Sequence, residues 1–129
     1  MDAGYQLFRQ NVHELSAPLS KRLFEIAAHL PEKDHGYFEK ELKDLARGLL
    51  WRNHRYSDNG DEDTRDRDFQ IQMQTLWSIK DTILLIGFLK YLPKDEVQDI
   101  LATIEELRQL YLPWTKKYGK YLREFDYAF

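Results

Sequence analysis

Arg47 and His54 stand seven residues apart in a stretch of helical periodicity, and their chemistry suits phosphodiester cleavage. A positioned imidazole acts as general acid or base near neutral pH, and a guanidinium holds the scissile phosphate. An Arg and a His near the end of a helix also complement its dipole, which explains the pair without catalysis. The metal chemistry is thinner. His13, His29, His35 and His54 show no repeated ligand interval, and the one Glu-x-x-His spacing, Glu32 to His35, falls in a predicted interhelical connection. A di-metal bundle needs two such motifs on facing helices. Asp58, Asp61, Asp63, Asp66 and Asp68 offer hard oxygens to calcium, yet Gly60 is out of register and the terminal bidentate Glu is missing. With no Cys, thiolate zinc sites, disulfides and a cysteine nucleophile are excluded. No Gly-rich phosphate loop, serine nucleophile elbow or metalloprotease motif is present, so the expectation is no cofactor, no metal and no catalytic set.

Charge is divided unevenly along the chain. The formal net charge of -3 hides an acidic run at 57–68, where six acids against two arginines leave -4, and a basic stretch at 108–129, where five cations against two acids leave +3. Arg47, Arg52 and Arg55 add to the cations. If the helices alternate in direction, the second and fourth end together. That would gather Arg47, Arg52, Arg55, Lys116, Lys117, Lys120 and Arg123 around Trp114, with Tyr118 and Tyr121 interleaved. Such a surface neutralises phosphates and stacks unpaired bases. Basic residues in last helical turns and a Trp on an apolar stripe are also what ordinary capping and core packing produce.

The elements that must hold these residues are helical. Tyr5, Phe8, Val12, Leu15, Leu19, Leu23, Ile26 and Leu30 recur at steps of three or four, as one helical face does. Pro18 inside this run predicts a kink or two abutting helices. After Leu30-Pro31, Asp34 is a candidate N-cap for a second helix carrying Phe38, Leu42, Leu45, Leu49 and Tyr56. Residues 57–68 contain no apolar side chain and read as a solvated loop. A third helix carries Met73, Leu76, Ile79, Ile83 and Ile86 on one face and Trp77, Leu84, Phe88 and Tyr91 on another, a pattern that predicts burial from several sides. Leu92-Pro93 breaks the chain again. A fourth helix follows with Val97, Ile100, Ile104, Leu107, Tyr111 and Trp114, interrupted by Pro113. No strand pattern competes. The fold expected is a single all-α domain over 1–129, an up-down-up-down four-helix bundle of two hairpins joined by the acidic loop. Trp51, Trp77, Phe88 and Tyr91 lie off the main stripes, a surplus of large apolar groups that points to an oligomer or a docked partner. The start of the chain lacks a basic segment followed by an apolar one, and the longest apolar run, Ile83 to Leu89, is far short of a membrane span. A soluble, cytoplasmic protein with no membrane contact is expected.

Two segments resemble a family of small bacterial four-helix bundles: the ribosomal-RNA intervening-sequence proteins and the accessory variability determinant proteins of diversity-generating retroelements. Phe24-Glu25-Ile26-Ala27-Ala28-His29-Leu30-Pro31-Glu32-Lys33-Asp34, continuing to Phe38 and Leu42, is similar to that family's turn between its first two helices. Leu92-Pro93-Lys94-Asp95-Glu96-Val97 through Glu105-Glu106-Leu107 to Trp114-Thr115-Lys116-Lys117 resembles its last helix in order and spacing. The resemblance implies a non-enzymatic bundle that assembles as a ring-like homopentamer. In the retroelement branch it implies binding to a reverse transcriptase and its RNA or DNA, with Lys116 and Lys117 the matching basic residues beside Trp114. Two other expectations stand beside it. One is a small helical RNase using Arg47 and His54, similar to those of the prokaryotic HEPN type. The other is a purely protein-binding regulatory bundle of phage or defence-system origin.

Overall fold

Four α-helices follow one another in the computed structural model: α1 (Ala3–Ala28), α2 (Glu32–Arg55), α3 (Glu62–Phe88) and α4 (Lys94–Tyr118). The structure describes residues 3–55 and 62–118, with side chains for 3–32, 36–50 and 68–114, and no strand occurs among them. Each helix packs on the next, and α4 closes the ring on α1. This is an all-α, up-down-up-down four-helix bundle of two hairpins. Among the described residues no helix is long and apolar enough to cross a membrane.

Apolar spacing explains the core directly. Tyr5, Phe8, Val12, Leu19, Leu23 and Ile26 of α1 are buried against Phe38, Leu42, Ala46 and Leu49 of α2 and against the inner faces of α3 and α4. Leu15, Leu45 and Trp114 pack at the core's margin. At one end Phe8 is the centre of an aromatic layer. Its ring lies 5.8 Å from Phe69 and 5.2 Å from Tyr111, both edge-on, and 5.2 Å from Trp114. Tyr5 meets Trp114 edge-on at 5.2 Å, and Phe69 meets Tyr111 at 5.7 Å. Edge-to-face pairs add about 0.5–1.5 kcal/mol each beyond area burial, so this layer ties α1, α3 and α4 together where each would otherwise fray.

Neither proline splits its helix. Pro18 lies within a continuous α1 and Pro113 within a continuous α4, so of the kink or break expected at Pro18 the break does not occur, and α4 is not interrupted at Pro113. Both rings face solvent, as do Glu14 and Gln109, whose carbonyls lose their amide partners. Water can take those bonds, while the inner face packs on. The second helix begins at Glu32, two residues before the N-cap expected at Asp34, and the Glu32–His35 segment is helical. Pro31 has no N–H to leave unsatisfied at a helix start, and acids in a first turn suit the dipole. The loop expected over 57–68 is likewise shorter, because α3 already begins at Glu62. Acid-rich sequence is tolerated at a helix N-terminus, and apolar periodicity cannot detect a turn that has no apolar residue.

The outer face of α3 departs most from expectation. Ile79, Ile83 and Ile86 are fully buried, but Trp77, Leu84, Leu85, Phe88 and Leu89 are exposed, so α3 is not covered from several sides. In a four-membered ring each helix has two neighbours, here α2 and α4, and its outward face has none. The α3–α4 corner beside this face is tight. A Cβ on Gly87 would sit 2.9 Å from Val97 Cγ2, so glycine permits the approach of α4. The helix then ends in a Schellman motif: Tyr91 N–H donates to the Ile86 carbonyl at 3.1 Å and Lys90 N–H to the Gly87 carbonyl at 3.0 Å. Lys90 occupies the left-handed position at φ 63°, where a residue with a Cβ costs about 1 kcal/mol relative to glycine.

Two buried polar side chains, Ser16 and Gln72, lack a hydrogen-bond partner among the described residues. Gln72 is inaccessible on α3, and neither its Nε2 nor its Oε1 has a hydrogen-bond partner among the described residues. Ser20, also buried, donates to the Ala46 carbonyl at 3.1 Å and so links α1 to α2.

Gly87→Ala should lower stability by about 1 kcal/mol in the wild type, because overpacking a rotamer-stiff Val97 outweighs the gain in helix propensity. In a Val97→Ala background the same change raises stability, and urea unfolding of the four proteins reads the inversion. Gln72→Met should raise stability by about 1–3 kcal/mol by removing an unsatisfied buried amide at nearly constant volume, and an unchanged or lower denaturation midpoint would contradict the account.

Candidate nucleic-acid and partner interface

Alternation of direction brings the C-terminal ends of α2 and α4 to one end of the bundle, beside the aromatic layer of Phe8, Phe69, Tyr111 and Trp114. Arg52 and Arg55 lie in the closing turns of α2, and Lys116 and Lys117 in the last turn of α4. The backbone therefore gathers these four positions at one end. Lys120 and Arg123 lie outside the described residues. Trp114 is half-buried, with its ring against Tyr5 and Phe8, so much of its surface already serves the core.

Arg47 does not join that group. Its guanidinium lies 3.3 Å from Asp44 Oδ1 and 6.0 Å from the centroid of the Phe24 ring, about halfway along the bundle. The bond from Ser20 to Ala46 marks the same level, and Phe8, twelve residues earlier on α1, is about 18 Å away along the axis. A residue on α2 eight positions before Arg55 is set back by about 12 Å in the same way. For the RNase expectation, this leaves Arg47 engaged by a carboxylate and an aromatic face, about 10 Å along the axis from His54. The His54 side chain is outside the described set.

The first cation of the basic stretch is neutralised as well. Arg108 donates through Nε to Glu105 Oε2 at 2.9 Å and through an Nη to Oε1 at 2.7 Å, a bidentate pair. Gln109 Nε2 adds a bond to the same Oε1 at 2.9 Å. The Arg108 bonds, with help from Gln109 and the charges of Arg108 and Lys80, hold the Glu105 carboxyl down from 4.5 to about 2. The Glu-x-x-Arg spacing at 105–108 signals this pair in the sequence, since residues three apart on a helix are neighbours. Arg108, paired in this way, is not counted with the cations of that end.

Histidine at the other end of the bundle has a structural role. His29 Nδ1–H donates to the Glu25 carbonyl at 2.8 Å, satisfying a carbonyl in the last turn of α1. Among the described residues no group of three His, Asp or Glu side chains could hold a metal ion. Of the off-stripe aromatic groups, Trp77 and Phe88 are exposed and Tyr91 is half-buried, while the Trp51 side chain is outside the described set. Leu85 and Leu89, exposed beside them, are not separable from core residues by hydrophobicity alone; their offset from the Ile79–Ile83–Ile86 stripe is the signal.

No family model, curated protein or solved structure matches this chain.

The Glu105 pair makes stability pH-dependent. Its folded-state pKa is depressed, so the stabilisation is present above pH 4.5 and is lost as pH falls toward about 2. Glu105→Gln should lower stability at neutral pH by about 0.5 kcal/mol, the scale of an exposed helical pair. The difference from wild type should vanish near the folded-state pKa, and a difference that persists there would assign the effect to something other than ionisation.

Proposed function

We propose that the protein is a non-catalytic, homo-oligomeric binding subunit whose nucleic-acid contact is the end where α2 and α4 finish. The observation that carries this reading is the joint placement of Arg52, Arg55, Lys116 and Lys117 at the closing turns of two helices that share one end. Four cations on two scaffold-held helix ends can engage a phosphate backbone at several points. Arg47, paired with Asp44, and Arg108, paired with Glu105, are left out of this surface. The resemblance of the α1–α2 turn and of the Trp114-Thr115-Lys116-Lys117 segment to the intervening-sequence and accessory variability determinant proteins supports the finer reading. On that reading the assembly is a pentamer and the partner a reverse transcriptase with its RNA or DNA, in the cytoplasm. The uncovered outer face of α3 favours a second reading, a bundle that binds protein alone.

Fluorescence anisotropy of labelled single-stranded RNA across a salt series tests the contact. The slope of log K against log salt should flatten by roughly 2 in Lys116/Lys117/Lys120→Glu, about 0.7 for each phosphate that is no longer neutralised. An unchanged slope in a variant of unchanged helicity would overturn the surface. A monomeric mass by light scattering would overturn the oligomer.

A further inference from the structure

At the opposite end of the bundle, the α3–α4 corner opens into a groove of about 760 Å³. Buried Leu92 and Val97 lie at its floor and exposed Leu84 and Phe88 at its edge; both of its charged lining residues, Lys90 and Lys94, are cations. Neither lysine forms an ion pair among the described residues. Phe88 is 80% exposed, and with Trp77, Leu84 and Leu85 it makes an apolar seam on the outward side of α3. These residues stand at helical steps over about 16 Å, or three turns. The seam has the spacing by which one helix receives another.

Local rules are broken here in three ways at once. A phenylalanine faces water, a lysine holds a left-handed position that favours glycine, and a second lysine stands at the first residue of α4, where the dipole disfavours a cation. Lys90, just past the end of α3, at least suits that helix's dipole; Lys94 has no such compensation. When local choices conflict with the fold at one place, function is the usual reason.

We infer that this groove and seam dock a helix of another protein, one that presents an apolar stripe and carries acidic residues at the end that meets Lys90 and Lys94. Charge decides the occupant. A second copy docked by a two-fold axis through Phe88 would bring the lysines of both copies together with no acid lining the groove to relieve them. Asp81, exposed midway along the seam, requires that the partner's acids be confined to one end. A lipid surface has no ridge of side chains to enter a cleft floored by Leu92 and Val97.

The test uses a labelled synthetic helix of about four turns, with Leu at i, i+3, i+4 and i+7, Gln elsewhere and three Glu in its first two turns. A matched peptide has Lys in place of Glu. By anisotropy at low salt, the Glu peptide should bind the full-length protein at least tenfold more tightly than the Lys peptide. Phe88→Ala should weaken it about tenfold, and Lys90→Glu with Lys94→Glu should reverse the preference. All three substitutions are at exposed positions and leave the circular dichroism unchanged. Equal binding of the two peptides, no binding, or binding indifferent to Phe88→Ala overturns the proposal. So does an oligomer that dissociates on Phe88→Asp, which assigns the face to a second copy, or a tighter Phe88-dependent association with phosphatidylglycerol vesicles than with the peptide.

Discussion

The bundle depends on the ring contacts of Phe8. This side chain belongs to the second turn of α1, yet it touches Phe69 in the first turns of α3 and Tyr111 and Trp114 in the later turns of α4. Helix ends are where backbone bonds are fewest and unfolding starts, and three helix ends meet here. Aromatic packing supplies what backbone pairing cannot. It also sets the register of α4 against α1, and thereby the position of Lys116 and Lys117, two and three residues beyond Trp114. The candidate contact surface is thus a consequence of core packing rather than of a separate binding motif.

Two prolines leave their helices unbroken. A proline removes a hydrogen bond wherever it stands, but the damage is large only when the freed carbonyl is buried. Pro18 and Pro113 are exposed, and the steps Leu15–Leu19–Leu23 and Leu107–Tyr111–Trp114 continue in phase past them. The prolines at 31 and 93 act differently. Each immediately precedes a helix start, and Val97 N–H donates to the Pro93 carbonyl at 3.0 Å, so Pro93 serves as the cap residue of α4. The same residue type therefore marks two boundaries and no interruption.

The inner faces of α1 and α4 are legible in the chain because period and burial coincide there. Every apolar step from Tyr5 to Ile26 and from Val97 to Tyr111 ends in the core or at its margin. The departures elsewhere have separate physical causes. Residues 62–68 offer no apolar side chain, so a helical turn there is indistinguishable from loop. Arg47 separates from Arg52 and Arg55 because proximity in sequence hides the rise of about 1.5 Å per residue along a helix. Sequence also hides the Asp44 carboxylate and Phe24 ring that hold it in place. Leu84, Leu85 and Phe88 have the composition of core residues; their offset from the Ile79–Ile83–Ile86 stripe marks a separate face, and the arrangement of four helices leaves that face uncovered.

Those uncovered apolar residues make the two ends of the bundle chemically different. At the Phe8 end, large rings are enclosed and cations follow them on closing helix turns. At the α3–α4 end, a glycine lets the helices close to contact, a lysine takes the backbone position of a glycine, and the Phe88 ring remains in water. A sequence shaped by stability alone would reverse these choices, with glycine at 90, an acid at 94 and a polar residue at 88, since each change is available without disturbing the core. Their persistence in one groove, on the face that the bundle leaves uncovered, is accounted for if that groove is occupied when the protein works.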